Sequence, residues 1–165
     1  MNIHAAIVTL SDKGSKGERE DESGSIIREM IEGIGASIEH YEILPDEQQG
    51  IVVLLKRLSD AGNIDLIVTT GGTGVSPRDV TPEATREVIE RELPGMAEAM
   101  RAESLKKTPH AMISRAVAGI RKRTLIINLP GSPRAVRENL AVVLPALPHV
   151  IEKMKGDIGD CAGIR

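Results

Sequence analysis

Aromatic residues are almost missing from this chain. Tyr41 stands alone among 165 residues, with no Phe and no Trp. The core must therefore be aliphatic. The lack of aromatics argues against binding of single-stranded nucleic acid, which relies on stacking platforms. An excess of positive charge is also lacking: the net charge is −3, so a nonspecific grip on DNA or RNA is not expected. Cysteine is nearly absent, and the single Cys161 cannot form an intramolecular disulfide, which suits a reducing cytoplasm. No apolar run approaches the ~18 residues of a membrane span. The chain enters an apolar strand by Ile3 without a basic leader, so no secretory signal and no membrane partner are expected.

What is present fits one globular domain with a sizeable core: 41% of residues are hydrophobic and 27% charged. Apolar runs at Ala5 to Leu10, Ile38 to Leu44, Ile64 to Thr70 and Thr124 to Leu129 predict strands. Three are near-continuous in aliphatic residues, as strands buried on both faces of a parallel sheet are. The second, IEHYEIL, alternates and predicts an edge strand. Helical stripes lie between them, at Ile26–Ile34, Ile51–Leu58, Leu93–Met100 and Val136–Met154. Pro145 and Pro148 predict a break in the last near Leu144. Strands alternating with helices predict an α/β fold, three-layer α/β/α with a mostly parallel central sheet. The domain is expected to run over 3–155, with 156–165 a flexible tail and Cys161 an idle thiol. Lys13 to Glu22 reads as a solvated mixed-charge loop, and Arg121-Lys122-Arg123 as a solvated turn.

Each strand is followed by a polar or glycine-rich loop: Ser11-Asp12, Pro45-Asp46, Gly71 to Asp79, and Pro130-Gly131-Ser132-Pro133. In a parallel α/β sheet all strand carboxyl ends share one edge, and ligands bind outside it. These loops should therefore converge. Gly71, Gly72 and Gly74 would present backbone N–H groups to an anion, and Arg78 could clamp phosphate oxygens. Asp46 and Asp79 beside phosphates would call for a cation, and magnesium binds through one or two carboxylates plus phosphates. The set points to metal-assisted phosphoryl or nucleotidyl transfer. Taken singly, Asp46 and Asp79 could equally be helix caps, and Pro130 to Pro133 a turn that launches a helix. The P-loop pattern, the G-x-G-x-x-G fingerprint and zinc-ligand spacings are all absent.

The string TTGGTGVSPRDVTPEAT, with LPDE before it and ISRAVAGIR and LIINLPGSP after it, resembles the molybdopterin adenylyltransferase family, whose domain also forms the gephyrin G domain. The resemblance runs from Ile3 to about Lys155. It implies the MogA/MoaB-like three-layer fold and a homotrimer. It implies adenylylation of molybdopterin by ATP with Mg2+, and a metal-insertion enzyme as partner. The resemblance places the catalytic, metal-linked acids on Asp46 and Asp79. Substrate and nucleotide contacts fall on Ser11, Asp12, Thr70, Gly71, Gly72, Thr73, Gly74, Arg78, Ser114, Arg115, Asn128, Pro130, Gly131 and Ser132. His110 stands where a more apolar residue is expected. A molybdopterin carrier or a trimeric scaffold would be the alternatives; intact metal acids favour the enzyme over the carrier.

Overall fold

In the computed structural model, residues 2–156 are described; the expectations for Cys161 and for the tail beyond Gly156 lie outside them. Six strands form one sheet in the order β2-β1-β3-β6-β5-β4. Four run parallel: β2 (Ala36–Leu44), β1 (Ile3–Leu10), β3 (Leu66–Thr70) and β6 (Thr124–Leu129). They are the four apolar runs of the sequence. The alternating one, β2, lies at the edge.

Side-chain alternation explains both covered faces. Ile3, Ala5 and Ile7 of β1 point into one core, with Val68 of β3 and Ile127 of β6. Ala6, Val8, Ile67 and Ile126 point into the other. The first face is covered by α2 (Glu22–Glu32), α5 (Pro94–Leu105), α6 (Pro133–Val143) and α7 (Leu147–Met154), through Ile27, Ile31, Met100, Leu140 and Ile151. The second is covered by α3 (Gln48–Asp60) and α4 (Thr81–Val88), through Ile51, Leu55, Ala84 and Val88. This is the three-layer α/β arrangement. A short α1 (Asp12–Ser15) opens the segment after β1, where only a loop was expected. The last stripe breaks where the prolines predict, with a 3₁₀ turn at Leu144–Ala146.

Two strands were not legible as such. β5 (Ala118–Arg121) and the two-residue β4 (Arg91–Glu92) form an antiparallel margin beside β6. Neither has an apolar run long enough to signal a strand. β5 pairs with β6 across the tight turn at Lys122-Arg123, where Lys122 takes a positive φ of 51°. That basic cluster is a turn, as expected, and Arg121 and Lys122 both pair with Asp60.

Candidate active site

The four parallel strands deliver their carboxyl-end loops to one cleft of about 560 Å³. Ser11, Asp46, Thr70, Gly71, Gly72, Asp79, Gly131 and Ser132 line it. The expected convergence is therefore present. The Thr70 hydroxyl donates to the Pro130 carbonyl at 2.6 Å, which ties the β3 and β6 loops together.

The glycine loop is shaped by what its glycines abut. Gly71 and Gly72 have φ of 95° and 65°, the left-handed region that disfavours other residues. A Cβ on Gly71 would lie 2.3 Å from the Leu10 carbonyl oxygen. A Cβ on Gly72 would lie 2.3 Å from Thr81 Oγ1 and 3.0 Å from Asp46 Oδ1. One on Gly74 would lie 2.9 Å from Asp79 Oδ2. A side chain at Gly72 would crowd Asp46 and one at Gly74 would crowd Asp79, so the loop lies close to both carboxylates.

Its carbonyls are held from behind. Buried Thr81 donates its hydroxyl to the Gly71 carbonyl at 2.9 Å and its N–H to the Gly72 carbonyl at 3.1 Å. The Arg115 N–H donates to the Thr73 carbonyl at 2.9 Å. The Arg115 guanidinium donates to the Gly74 carbonyl at 2.6 Å and the Asp79 carbonyl at 2.8 Å, and pairs with Glu83. That pairing holds the Glu83 carboxyl below its usual range. Among the described residues, the N–H groups of Gly72, Thr73 and Gly74 donate to no protein acceptor. Such a run of unclaimed donors suits an anion.

Neither aspartate is a helix cap. Asp46 Oδ2 accepts from the Asp12 N–H at 3.1 Å, while the Asp46 N–H donates to Asp12 Oδ1 at 3.0 Å. Asp79 Oδ2 accepts from the Ser76 N–H at 2.9 Å. The cap positions fall one residue later, on Glu47 for α3 and Val80 for α4, and neither side chain makes a capping bond. Burial raises the Asp46 carboxyl above the usual range, and the negative charges of Asp12 and Asp79 add to the effect. Asp12 shifts the other way, chiefly because the Arg78 guanidinium donates to it.

A probable molybdopterin binding domain matches residues 6–149. The chain belongs to that family. It is 47% identical over 159 residues to a molybdopterin adenylyltransferase of Helicobacter pylori strain J99, covering 95% of this chain and 90% of the relative. It is 40% identical to the Escherichia coli K12 protein of the same name, covering 90% and 77%. A solved molybdopterin biosynthesis enzyme MoaB of Thermus thermophilus superposes with a TM-score of 0.88 at 51% identity, covering 94% of this chain and 98% of that one. The fold expectation is met by these neighbours.

Not every motif residue faces the cleft. Arg78 is spent on Asp12, through two bonds of 3.0 and 2.7 Å, and does not line the cleft. Arg115 is spent on the loop carbonyls and Glu83. Asn128 is fully buried. Its Oδ1 accepts from the Val117 N–H at 3.1 Å and its Nδ2 donates to Thr69 and Thr85 hydroxyls at 2.9 Å each. These three side chains hold groups of the protein itself around the loop. Ser114, Thr73, Gly74 and Pro130 line a separate cavity of about 240 Å³ across the loop, walled by α5 and α6. His110 also lines that cavity and is exposed, so a polar residue costs nothing there.

The segment read as a solvated loop does more than that. Arg19, Glu20, Asp21, Glu22 and Ser23 form one wall of the cleft. Asp21 caps α2 by accepting from the Gly24 N–H at 2.9 Å. It also accepts from the Thr9 hydroxyl at 2.5 Å and from the Tyr41 hydroxyl. The signal available in sequence was the Asp21-Glu22-Ser23-Gly24 capping pattern.

Proposed function

We propose that this protein is a molybdopterin adenylyltransferase of molybdenum-cofactor biosynthesis, using ATP and magnesium. The observation that carries the reading is the glycine loop lying close to both Asp46 and Asp79, its N–H groups unclaimed, in a chain close to named adenylyltransferases along most of its length. A terminal phosphate oxygen of the pterin attacks the α-phosphorus of ATP. The bond from that phosphorus to the bridging oxygen of the β-phosphate breaks, and pyrophosphate leaves with the electron pair. The nucleophile is already ionised near pH 7, so no general base is required. The enzyme's task is alignment and charge compensation.

The residues fit a magnesium site of the substrate-assisted kind. Asp46 and Asp79 each have one oxygen held by a backbone N–H, and among the described residues Oδ1 of each receives no protein hydrogen bond. No group of three His, Cys, Asp or Glu side chains suited to a metal occurs among the described residues. The carboxylate pair would thus hold the ion together with phosphate oxygens. Bound magnesium supplies positive charge to the phosphates. The loop N–H groups orient them, and Asp12 fixes Asp46 through their reciprocal bonds. No described helix is long and apolar enough to cross a membrane. A cytoplasmic homotrimer that hands its product to a metal-insertion enzyme belongs to the same proposal.

The test is pyrophosphate release from ATP with magnesium, with and without molybdopterin. Release should depend on the pterin and fall by roughly a hundred- to ten-thousand-fold in Asp79→Asn, since metal charge stabilisation is worth several kcal/mol. Pterin binding without release would instead identify a carrier.

A further inference from the structure

We propose that Arg19 is the cation that receives a substrate phosphate in this cleft, an inference that rests on the adenylyl-transfer reading. Both arginines of the glycine-loop region are already engaged: Arg78 with Asp12, Arg115 with Glu83 and two carbonyls. Of the described side chains lining the cleft, Arg19 alone is basic, against the carboxylates of Glu20, Asp21, Glu22, Asp46 and Asp79. Among the described residues it makes no ion pair and no hydrogen bond. A polyanion entering this acidic cleft meets one uncommitted guanidinium, whose planar fork matches two phosphate oxygens.

The backbone that carries Arg19 is anchored nearby. Two residues on, Asp21 is clasped by Thr9, Tyr41 and the Gly24 N–H. Ser23 donates to the Gly131 carbonyl at 2.8 Å, linking this wall to the turn before α6. On the other side, Gly17 at φ 72° turns the chain back after α1. The segment that follows Arg19 is therefore fixed to the cleft wall. Its ligand chemistry is a phosphate group, brought by either the nucleotide triphosphate or the pterin.

The experiment compares wild type, Arg19→Gln, Arg19→Lys and the control Arg91→Gln, an exposed arginine on β4 outside the cleft. Calorimetric titration with inorganic tripolyphosphate and magnesium should show Arg19→Gln binding about 10- to 100-fold more weakly, the range of a lost charge-assisted hydrogen bond. Arg19→Lys should lose less, and Arg91→Gln should match wild type. In turnover assays, a raised KM for ATP assigns the contact to the triphosphate. A raised KM for molybdopterin assigns it to the pterin phosphate. Tripolyphosphate affinity and both KM values within twofold of wild type in Arg19→Gln overturn the proposal. A wild type without turnover overturns the adenylyl-transfer reading, while the titration still decides Arg19. A wild type that neither turns over nor binds tripolyphosphate overturns both.

Discussion

Replacing Asn128 with alanine separates a ligand contact from a framework residue. The side chain is buried and makes three hydrogen bonds, to the Val117 N–H and to the hydroxyls of Thr69 and Thr85. Truncation leaves the Val117 N–H without its partner inside the protein, at a cost of about 1–3 kcal/mol. The two donated bonds add about 1 kcal/mol each. Thr69 keeps its own bond to the Ile127 carbonyl, which limits the loss on that side. The sum is roughly 3–5 kcal/mol. At about 2–4 °C per kcal/mol for a domain of this size, the melting temperature should fall by roughly 6–20 °C. Thermal unfolding followed by circular dichroism measures it, with KM for ATP and molybdopterin determined well below the transition. A melting temperature within about 2 °C of wild type together with a raised KM would refute the reasoning and return Asn128 to the ligand.

Two further outcomes follow from the charged groups. The Asp46 carboxyl is raised by burial and by its acidic neighbours, so its folded-state stabilisation is present below the ordinary aspartate value and lost as pH rises through the folded one. Asp46→Asn should therefore melt higher than wild type at pH 7, with the gap narrowing towards pH ~4, while turnover is lost; a lower melting temperature at pH 7 would contradict this in a fluorescence melt. Tyr41, the only aromatic residue, has its hydroxyl pushed up to about 12 by desolvation and by the Asp21 carboxylate. Ultraviolet titration should show tyrosinate appearing near pH 12, and stability should decline between pH ~10 and that value, because there the unfolded chain ionises its tyrosine while the folded protein keeps the proton. A midpoint at pH ~10 in the folded protein would count against the Asp21 bond.

The parallel half of the sheet was legible because its strands carry apolar runs, three of them covered on both faces, and because the loop chemistry repeats after each strand end. The antiparallel margin was not. β4 is two residues long and β5 contains Gly119, so their place is set by the Lys122-Arg123 turn beside β6 and by the close approach of Gly119 to Ile89 and the Arg91 carbonyl rather than by any run of their own. In the site, Gly71, Gly72 and both aspartates could be placed at the cleft from spacing, since chain direction brings strand ends together. What spacing could not reveal was partnership. Arg78 and Arg115 have the right type for phosphate, but they pair with Asp12 and Glu83, 66 and 32 residues away in sequence. Arg19 had the opposite fate, looking like part of a solvated loop until the fold set it in one cleft with Gly71 and Ser132.

Those partnerships form a chain of support with a direction. Arg78 fixes the Asp12 carboxylate, and Asp12 exchanges two backbone–carboxylate bonds with Asp46. Asp46 in turn lies against Gly72, whose carbonyl is held by Thr81. On the other flank, Arg115 holds the carbonyls of Gly74 and Asp79, so that Asp79 is fixed by its own backbone as well as by the Ser76 N–H. The two acids are therefore held close to one loop although burial raises one of them and their charges repel. Two ion pairs thus keep in place an arrangement that costs stability in the free protein, which supports the proposed cation and phosphate site.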